Sequence, residues 1–525
     1  MTAARAELPA PIHVPDRFNA ADFFLDRHVR DGRAGRTAFH HAGRRVTYGE
    51  VAERANRLGN ALLARGVQME QRVLLALPDC PEFAEAFWGA IKIGAVPVPV
   101  NNALTAEDYA FLLADSRARA VVADEAAAAE IMAGRDRCPH LATVFVVGTA
   151  PQGAFAYNDV LATASAALSP ADTTKDDAAM WGYTSGSTGR PKAAVHLQHD
   201  FVHAAELVGR NIFGLGPDDL IFSVSKMYFA FGLGNSLYFP ALVGAAALLV
   251  AERPEPERIL ELIHAERPTC LFAVATVYAR LLQVEAAATR FDLSSLRLCV
   301  SSGESLPPAL FHACRERFGQ ELLDVVGSTE ALHDFIANRP GHARPGSCGQ
   351  VIPGFEARLV DDEGRPVLPG SVGHLWIKGD STAPWYWNRH EQTRRSMLGE
   401  WLRTGDMLYQ DTDGYFYFCG RSDDMLKVGG MWVAPAEVEA CLLEHPAVLE
   451  AAVIGRRDVD GLTKAHAFCV LKDGVAPAPG LPQELVRVVR ARLAGYKAPR
   501  WVDLVPELPK TATGKIQRFR LRTGA

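Results

Sequence analysis

No two of the nine cysteines are spaced as C-x-x-C; Cys80, Cys138, Cys270, Cys299, Cys314, Cys348, Cys419, Cys441 and Cys469 are scattered. That spacing argues against a disulfide framework and a zinc knuckle, and it suits a reducing cytoplasm. There is no run of five or more basic residues and the net charge is −6, which argues against a nucleic-acid partner. The N-terminal stretch MTAARAELPAPIHVPDRF has no apolar core of signal-peptide length. The longest apolar run, Leu237 to Val250, is 14 residues and contains Pro240 and Gly244. It is too short for a bilayer and reads as buried core, so no membrane partner is expected.

What remains is a chain of 525 residues, 48% hydrophobic and 22% charged. That is ordinary for a globular protein and long enough for two to four domains. Apolar runs of strand length alternate with helical periodicity through the first third. A helix over Ala21 to Arg30 precedes a strand pair within Thr37 to Thr47, then a helix over Glu50 to Arg65. Arg72–Leu77, Ala95–Val100, Ala120–Ala123 and Val144–Val147 read as strands, with helices at Phe83–Ile93 and Ala126–Gly134 between them. This rhythm predicts an α/β fold with largely parallel sheets.

The densest stretch is Thr184-Ser185-Gly186-Ser187-Thr188-Gly189-Arg190-Pro191-Lys192, with four hydroxyls, two glycines and two cations in nine residues. Glycines let backbone approach a ligand, and hydroxyls, N–H groups and cations suit phosphate oxygens. A turn-rich loop without a ligand is the plainer alternative. It is not a P-loop: two residues separate Gly186 from Gly189, and Pro191 precedes the lysine and disfavours helix at Arg190. His196, His199 and His203 follow, with Asp200. On one helix they would share a face. A single helix closes a zinc tetrahedron poorly, so a helix packed behind the loop is the expectation. Met227 to Asn235 sets three aromatics beside Gly232-Leu233-Gly234, read either as core or as a flat apolar pocket.

The Thr184–Lys192 stretch resembles the phosphate loop of the adenylate-forming superfamily of acyl- and aryl-CoA ligases, adenylation domains and luciferases. Further motifs follow in that family's order: Ser302-Gly303-Glu304-Ser305-Leu306, Gly327-Ser328-Thr329-Glu330, Gly373-His374-Leu375-Trp376-Ile377-Lys378-Gly379, Trp401-Leu402-Arg403-Thr404-Gly405-Asp406, Gly420-Arg421-Ser422-Asp423-Asp424, and Pro509-Lys510-Thr511-Ala512-Thr513-Gly514-Lys515-Ile516-Gln517-Arg518. The resemblance covers residues 40 to 520. Phe229-Ala230-Phe231-Gly232-Leu233-Gly234-Asn235 and Ala331-Leu332-His333 are similar to benzoate-type aryl-CoA ligases.

The resemblance implies a large N-terminal domain of stacked αβ sheets plus a distorted barrel, residues 1–421, and a small mobile α+β C-terminal domain, residues 422–525. It implies activation of an aromatic acid, benzoate or an amino- or hydroxybenzoate, with ATP, Mg²⁺ and coenzyme A. Thr184 to Gly189 and Lys192 would grip phosphates. Ser302, Gly303, Glu304, Asp324, Gly327, Ser328, Phe418 and Arg421 would serve the nucleotide, and Asp406 the ribose. Thr329 would contact the α-phosphate, Glu330 would hold Mg²⁺, and Lys515 would be the catalytic lysine. Asp423 would be the hinge, and Lys427, Gly429 and Gly430 would line the CoA tunnel. Phe229, Ala230, Phe231, Gly232, His333 and Asp334 would form the acyl pocket, with Gly232 and Gly327 leaving room for a ring and His333 meeting the substrate carboxylate. Three departures stand out: Asp334 where an apolar residue is usual, Val326 where an aromatic is frequent, and Gly for Ser in Lys427–Gly430. The alternative acceptor is a carrier-protein thiol supplied in trans; a monomer or homodimer is expected.

Overall fold

The computed structural model describes residues 11–184, 190–428, 431–459, 461–472, 474–510 and 516–523. The alternation seen in the first third builds a five-stranded sheet, parallel throughout, in the order 96–99, 72–76, 120–124, 143–147, 155–156. Thr47 caps the helix Tyr48–Ala64 with a reciprocal Glu50 bond, satisfying two backbone donors that a helix start leaves open.

A nine-stranded sheet lies at the centre, ordered 350–351, 334–337, 322–327, 298–302, 270–273, 220–223, 246–249, 37–41, 44–47. Its middle six strands are parallel and antiparallel strands close both edges. Strands buried on both faces read as continuous apolar runs, as in Leu220–Ser223 and Cys270–Ala273. In an open parallel sheet, ligands bind beyond the carboxyl ends of the strands. Ser302 and Gly327 are the last residues of two such strands. The expected barrel is represented by a five-stranded antiparallel sheet built from 356–360, 373–378, 397–398, 401–410 and 416–421.

After Leu426 the chain forms separate structure. A two-stranded ribbon and a three-stranded sheet (448–457, 463–471, 501–504) pack under helices Pro435–Leu443 and Leu481–Arg492. This smaller C-terminal domain has its own core around Val438, Leu442, Val453, Ala467 and Leu485. A small cluster of Met407, Cys419, Met425 and Ala434 joins it to the antiparallel sheet. Among the described residues no helix is long and apolar enough to cross a membrane.

Candidate active site

Two antiparallel strands, Ala178–Thr184 and Lys192–Leu197, deliver the hydroxyl-rich stretch, with Thr184 paired to Lys192. Ser185 to Gly189 lie outside the described residues. Because Lys192–Leu197 is a strand and the helix begins only at Asp200, the three histidines do not share a helix face. Among the described residues no cluster of His, Cys, Asp or Glu is arranged to hold a metal.

The hairpin lies against the turn Thr329–Ala331. A Cβ at Gly182 would meet the Thr329 methyl at 2.7 Å, so only glycine lets the strand come this close. His196, fully buried, faces the Thr329 carbonyl at 2.7 Å through Nε2 and Asp200 Oδ2 at 2.8 Å through Nδ1. A carbonyl only accepts, so Nε2 carries the hydrogen. Ala383 N–H donates to the Glu330 carbonyl at 2.7 Å and the Ser381 hydroxyl donates to that of Ala331 at 3.0 Å. Three segments, around Gly182, His196 and residues 381–383, thus fix one short turn.

The side chain of Glu330 accepts from the Tyr386 hydroxyl at 2.6 Å, and Lys192 Nζ lies 3.7 Å from the same oxygen. Lys192 also sits 3.7 Å over the Tyr386 ring. Burial holds the Lys192 ammonium below its usual range against the raising pull of Glu330, and Arg421 adds to the lowering. Asp406 accepts from Arg421 at 2.7 Å across paired strands, and Arg421 also donates to the Thr404 carbonyl at 3.0 Å. The charge of Asp406 holds the Arg421 guanidinium well up, against its burial. Phe418 is half-buried on the same strand as Arg421.

Glu304 meets the start of helix Ala275–Leu281 through one oxygen, and its Oε1 has no hydrogen-bond partner. Its Oε2 accepts from Thr276 N–H at 3.0 Å and the Thr276 hydroxyl at 2.8 Å. Burial raises its carboxyl and those bonds pull it back. Asp324 is buried along its strand; burial pushes its carboxyl well up, and the charge of nearby Asp334 adds to that. Ser328 Oγ accepts from Ala331 N–H at 3.2 Å, capping the Thr329 turn. Gly303 has φ +86° directly after Ser302.

The aromatic segment flanks the neighbouring strand end. Phe229 precedes the short helix Ala230–Leu233, and Phe229, Ala230 and Phe231 are half-buried. The two glycines expected to leave room for a ring do not do so. A Cβ at Gly232 would lie 2.1 Å from the Lys226 carbonyl oxygen and 2.3 Å from that of Ser225. Backbone fills that space. At Gly327 it would meet Asp334 Oδ1 at 2.5 Å and the His333 carbonyl at 2.6 Å. His333 is buried, its ring 4.5 Å from Phe239 and 5.3 Å from Phe231, with Nε2 3.3 Å from the Phe231 carbonyl. Its other nitrogen, Nδ1, has no hydrogen-bond partner.

Three contributors carry no role that the sequence reveals. Tyr386, 56 residues from Glu330, belongs to no motif. His196 suggests a metal ligand in the sequence and nothing more. Asp79 receives Met227 N–H at 2.8 Å, lies 3.7 Å from Lys226 Nζ and so fixes the segment on which Gly232 packs. Burial raises the Asp79 carboxyl to about 6, against the pull of Lys226 and the Met227 bond. Gly429, Gly430 and Lys515 lie outside the described residues, as does the side chain of Lys427. Lys510 and Ile516, which flank the segment containing Lys515, pair as an antiparallel bridge. Asp423 follows the Arg421 strand directly, and its carbonyl accepts from Arg522 at 3.4 Å.

Residues 25–387 match the family described as AMP-binding enzyme, and residues 437–515 match the AMP-binding enzyme C-terminal domain. The chain is 43% identical over 523 residues to the benzoate–CoA ligase of Thauera aromatica, covering 99% of each. It is 42% identical to the 4-hydroxybenzoate–CoA/benzoate–CoA ligase of Rhodopseudomonas palustris, covering 96% of this chain and 94% of that one. The crystal structure of the anthranilate CoA ligase AuaEII in complex with anthranoyl-AMP superposes with a TM-score of 0.94 at 40% identity, covering 97% of this chain and 98% of that one.

Proposed function

The chain belongs to the AMP-binding enzyme family of adenylate-forming proteins, and from that premise we propose that it is an AMP-forming aryl-CoA ligase. It activates an aromatic carboxylic acid, benzoate or an amino- or hydroxybenzoate, with ATP and passes the acyl group to coenzyme A. The observation that carries this reading is similarity along the whole chain to CoA ligases of such acids. Those relatives act with coenzyme A by name, which favours it over a carrier protein. The nine cysteines, all free and buried, support a reducing cytoplasm.

A carboxylate acylates poorly because oxide would have to leave. In the first half-reaction a carboxylate oxygen bonds to the α-phosphorus and the bond to pyrophosphate breaks. In the second, the CoA thiol loses its proton, its sulfur bonds to the acyl carbon and AMP departs. Positioning and charge neutralisation carry such chemistry. Lys192 and the loop before it hold the phosphates, Thr329 meets the α-phosphate, and Asp406 beside Arg421 takes the ribose hydroxyls. Glu330 would hold Mg²⁺, and one protein carboxylate suits an ion that is otherwise bound by substrate phosphates and water. When bound, that ion neutralises phosphate charge. Tyr386 orients Glu330 for this task. Lys515 reaches the carboxylate and α-phosphate oxygens as charge gathers there. Asp423 is the hinge about which the small domain, from residue 422, turns between the half-reactions, and Lys427 to Gly430 line the thiol's approach.

The test is pyrophosphate release from ATP with a panel of benzoates, followed by mass detection of the CoA thioester. Release and thioester with at least one benzoate are expected. Release with aliphatic acids alone would overturn the aryl assignment. Acyl transfer to a carrier protein but not to CoA would overturn the acceptor.

A further inference from the structure

Asp334 opens the strand Asp334–Ala337, beside Gly327 at the carboxyl end of the neighbouring strand. It is 2% exposed. Among the described residues no lysine or arginine pairs with it. A carboxyl group in such a place is costly unless donors reach it.

The donors are too few. The Ser302 hydroxyl is 3.3 Å from Asp334 Oδ1, but it is also 3.4 Å from the Val325 carbonyl oxygen. A hydroxyl has one proton and cannot serve both. Oδ2 has no hydrogen-bond partner. His333 Nδ1 is 2.9 Å from Oδ2, near enough for attraction between charges. The two are misaligned for a hydrogen bond, and Nδ1 is itself without a partner. The other ring nitrogen faces the Phe231 carbonyl, so the imidazole does not make up the shortage.

Aromatic rings stand on the His333 side of Asp334, with Asp324 close by on the neighbouring strand. Phe231 and Phe239 pack on the His333 ring, and Tyr238 OH reaches only the Leu332 carbonyl, at 3.4 Å. Ser302 and Gly327 end adjacent parallel strands, where an open sheet receives its ligand. An under-bonded acceptor at the edge of an aromatic-lined site is what a ring substituent with a hydrogen to give would meet.

We propose that Asp334 selects the substrate: its free carboxyl oxygen accepts an N–H or O–H from an amino or hydroxyl group on the aromatic ring, so the preferred acids are donor-bearing benzoates, not benzoate itself. This rests on the aryl-CoA ligase reading above and narrows it to one substrate class. Asp334 is a specificity residue; the reacting carboxylate and phosphate do not involve it.

The experiment compares kcat/KM, by pyrophosphate release, for the three aminobenzoates and three hydroxybenzoates against their methyl and fluoro counterparts and benzoate. For the best donor-bearing acid the wild type should favour it over its methyl counterpart by about 100-fold, since a site built to bond a donor rejects the analogue lacking it strongly. Asp334→Leu should cut that ratio at least about tenfold, and Asp334→Asn, whose amide oxygen still accepts, should keep part of it. If wild type handles benzoate or the methyl acids as well as every donor-bearing acid, the inference fails while the ligase reading stands. A ratio unmoved in a folded Asp334→Leu also refutes it. No release with any aromatic acid overturns both readings. The wild-type ratios decide the matter even if Asp334→Leu does not fold.

Discussion

Two buried histidine–aspartate pairs flank the same turn, and their bonding differs. His196 has a partner on each nitrogen: the Thr329 carbonyl at 2.7 Å and Asp200 at 2.8 Å. Asp200 Oδ2 also takes Leu197 N–H at 3.1 Å. The second pair, His333 and Asp334, lies as close, 2.9 Å, yet forms no hydrogen bond between its members. The first pair ties the hairpin of Ala178–Thr184 and Lys192–Leu197 to the Thr329–Glu330 turn through His196, while Asp200 Oδ1 stays without a hydrogen-bond partner, 3.3 Å from His199 Nε2. The second leaves both His333 Nδ1 and Asp334 Oδ2 without a partner, beside Phe231 and Phe239. Each aspartate keeps one buried oxygen without a hydrogen-bond partner, so what separates the pairs is the direct histidine–aspartate bond, present in the first and absent in the second.

The largest effect expected lies in neither pair and sets the scale. Lys515→Ala should slow acyl-AMP formation about 10²- to 10³-fold, the cost of losing one group aimed at developing charge. It should spare thioester formation from supplied acyl-AMP. Equal loss in both halves would remove Lys515 from the role. Next comes His196→Ala, which strands Asp200 and the Thr329 carbonyl in the core. A loss of about 3 kcal/mol in denaturant unfolding is expected, with a higher KM for ATP. Wild-type stability and KM would erase the contrast between the pairs.

His28 offers an intermediate case away from the site. Its Nε2 faces the Ala241 carbonyl at 2.7 Å while Nδ1 has no partner. Burial lowers it to about 4, with the Ala241 bond opposing and Arg27 and Arg33 adding to the lowering. Because the folded value lies below the ordinary 6.5, the unfolded chain takes its proton first as pH falls. Stability present above pH 6.5 should be lost toward pH 4, by about 2 kcal/mol, and His28→Gln should flatten that slope. An identical slope in the variant would assign it elsewhere. Smallest is Asp334→Leu: stability within about 1 kcal/mol of wild type, and raised if anything, because an under-bonded buried carboxyl is removed. A loss as large as that of His196→Ala would give Asp334 the same structural role as Asp200.

Much of the cluster around Thr329 and Asp406 was legible in the sequence. Thr329-Glu330, Thr404-Gly405-Asp406 and Arg421 sit in short motifs, since a turn that presents a hydroxyl and a carboxylate together needs them adjacent. The strand–helix rhythm of the first third was legible too, because burying both faces of a parallel sheet imposes an apolar run on every strand. Where the reading fell short, the partner came from far along the chain. His196 bonds a carbonyl 133 residues away, and Tyr386 meets Glu330 across 56. Glu304 Oε2 is held by Thr276, 28 residues away, a contact that no motif shows. Gly232 and Gly327 looked like space for a ring, yet neighbouring protein atoms fill it.

By itself, then, the sequence determined the α/β class, the family and the order of the family's motifs, all properties of local pattern and spacing. Whether a given polar group is satisfied was decided only by the tertiary structure. Hydrogen bonding is a matter of ångströms and angles between segments that the chain keeps apart. Asp200 and Asp334 each stand near a histidine in sequence. Folding bonds the first to its histidine and leaves the second 2.9 Å from its own without a hydrogen bond between them.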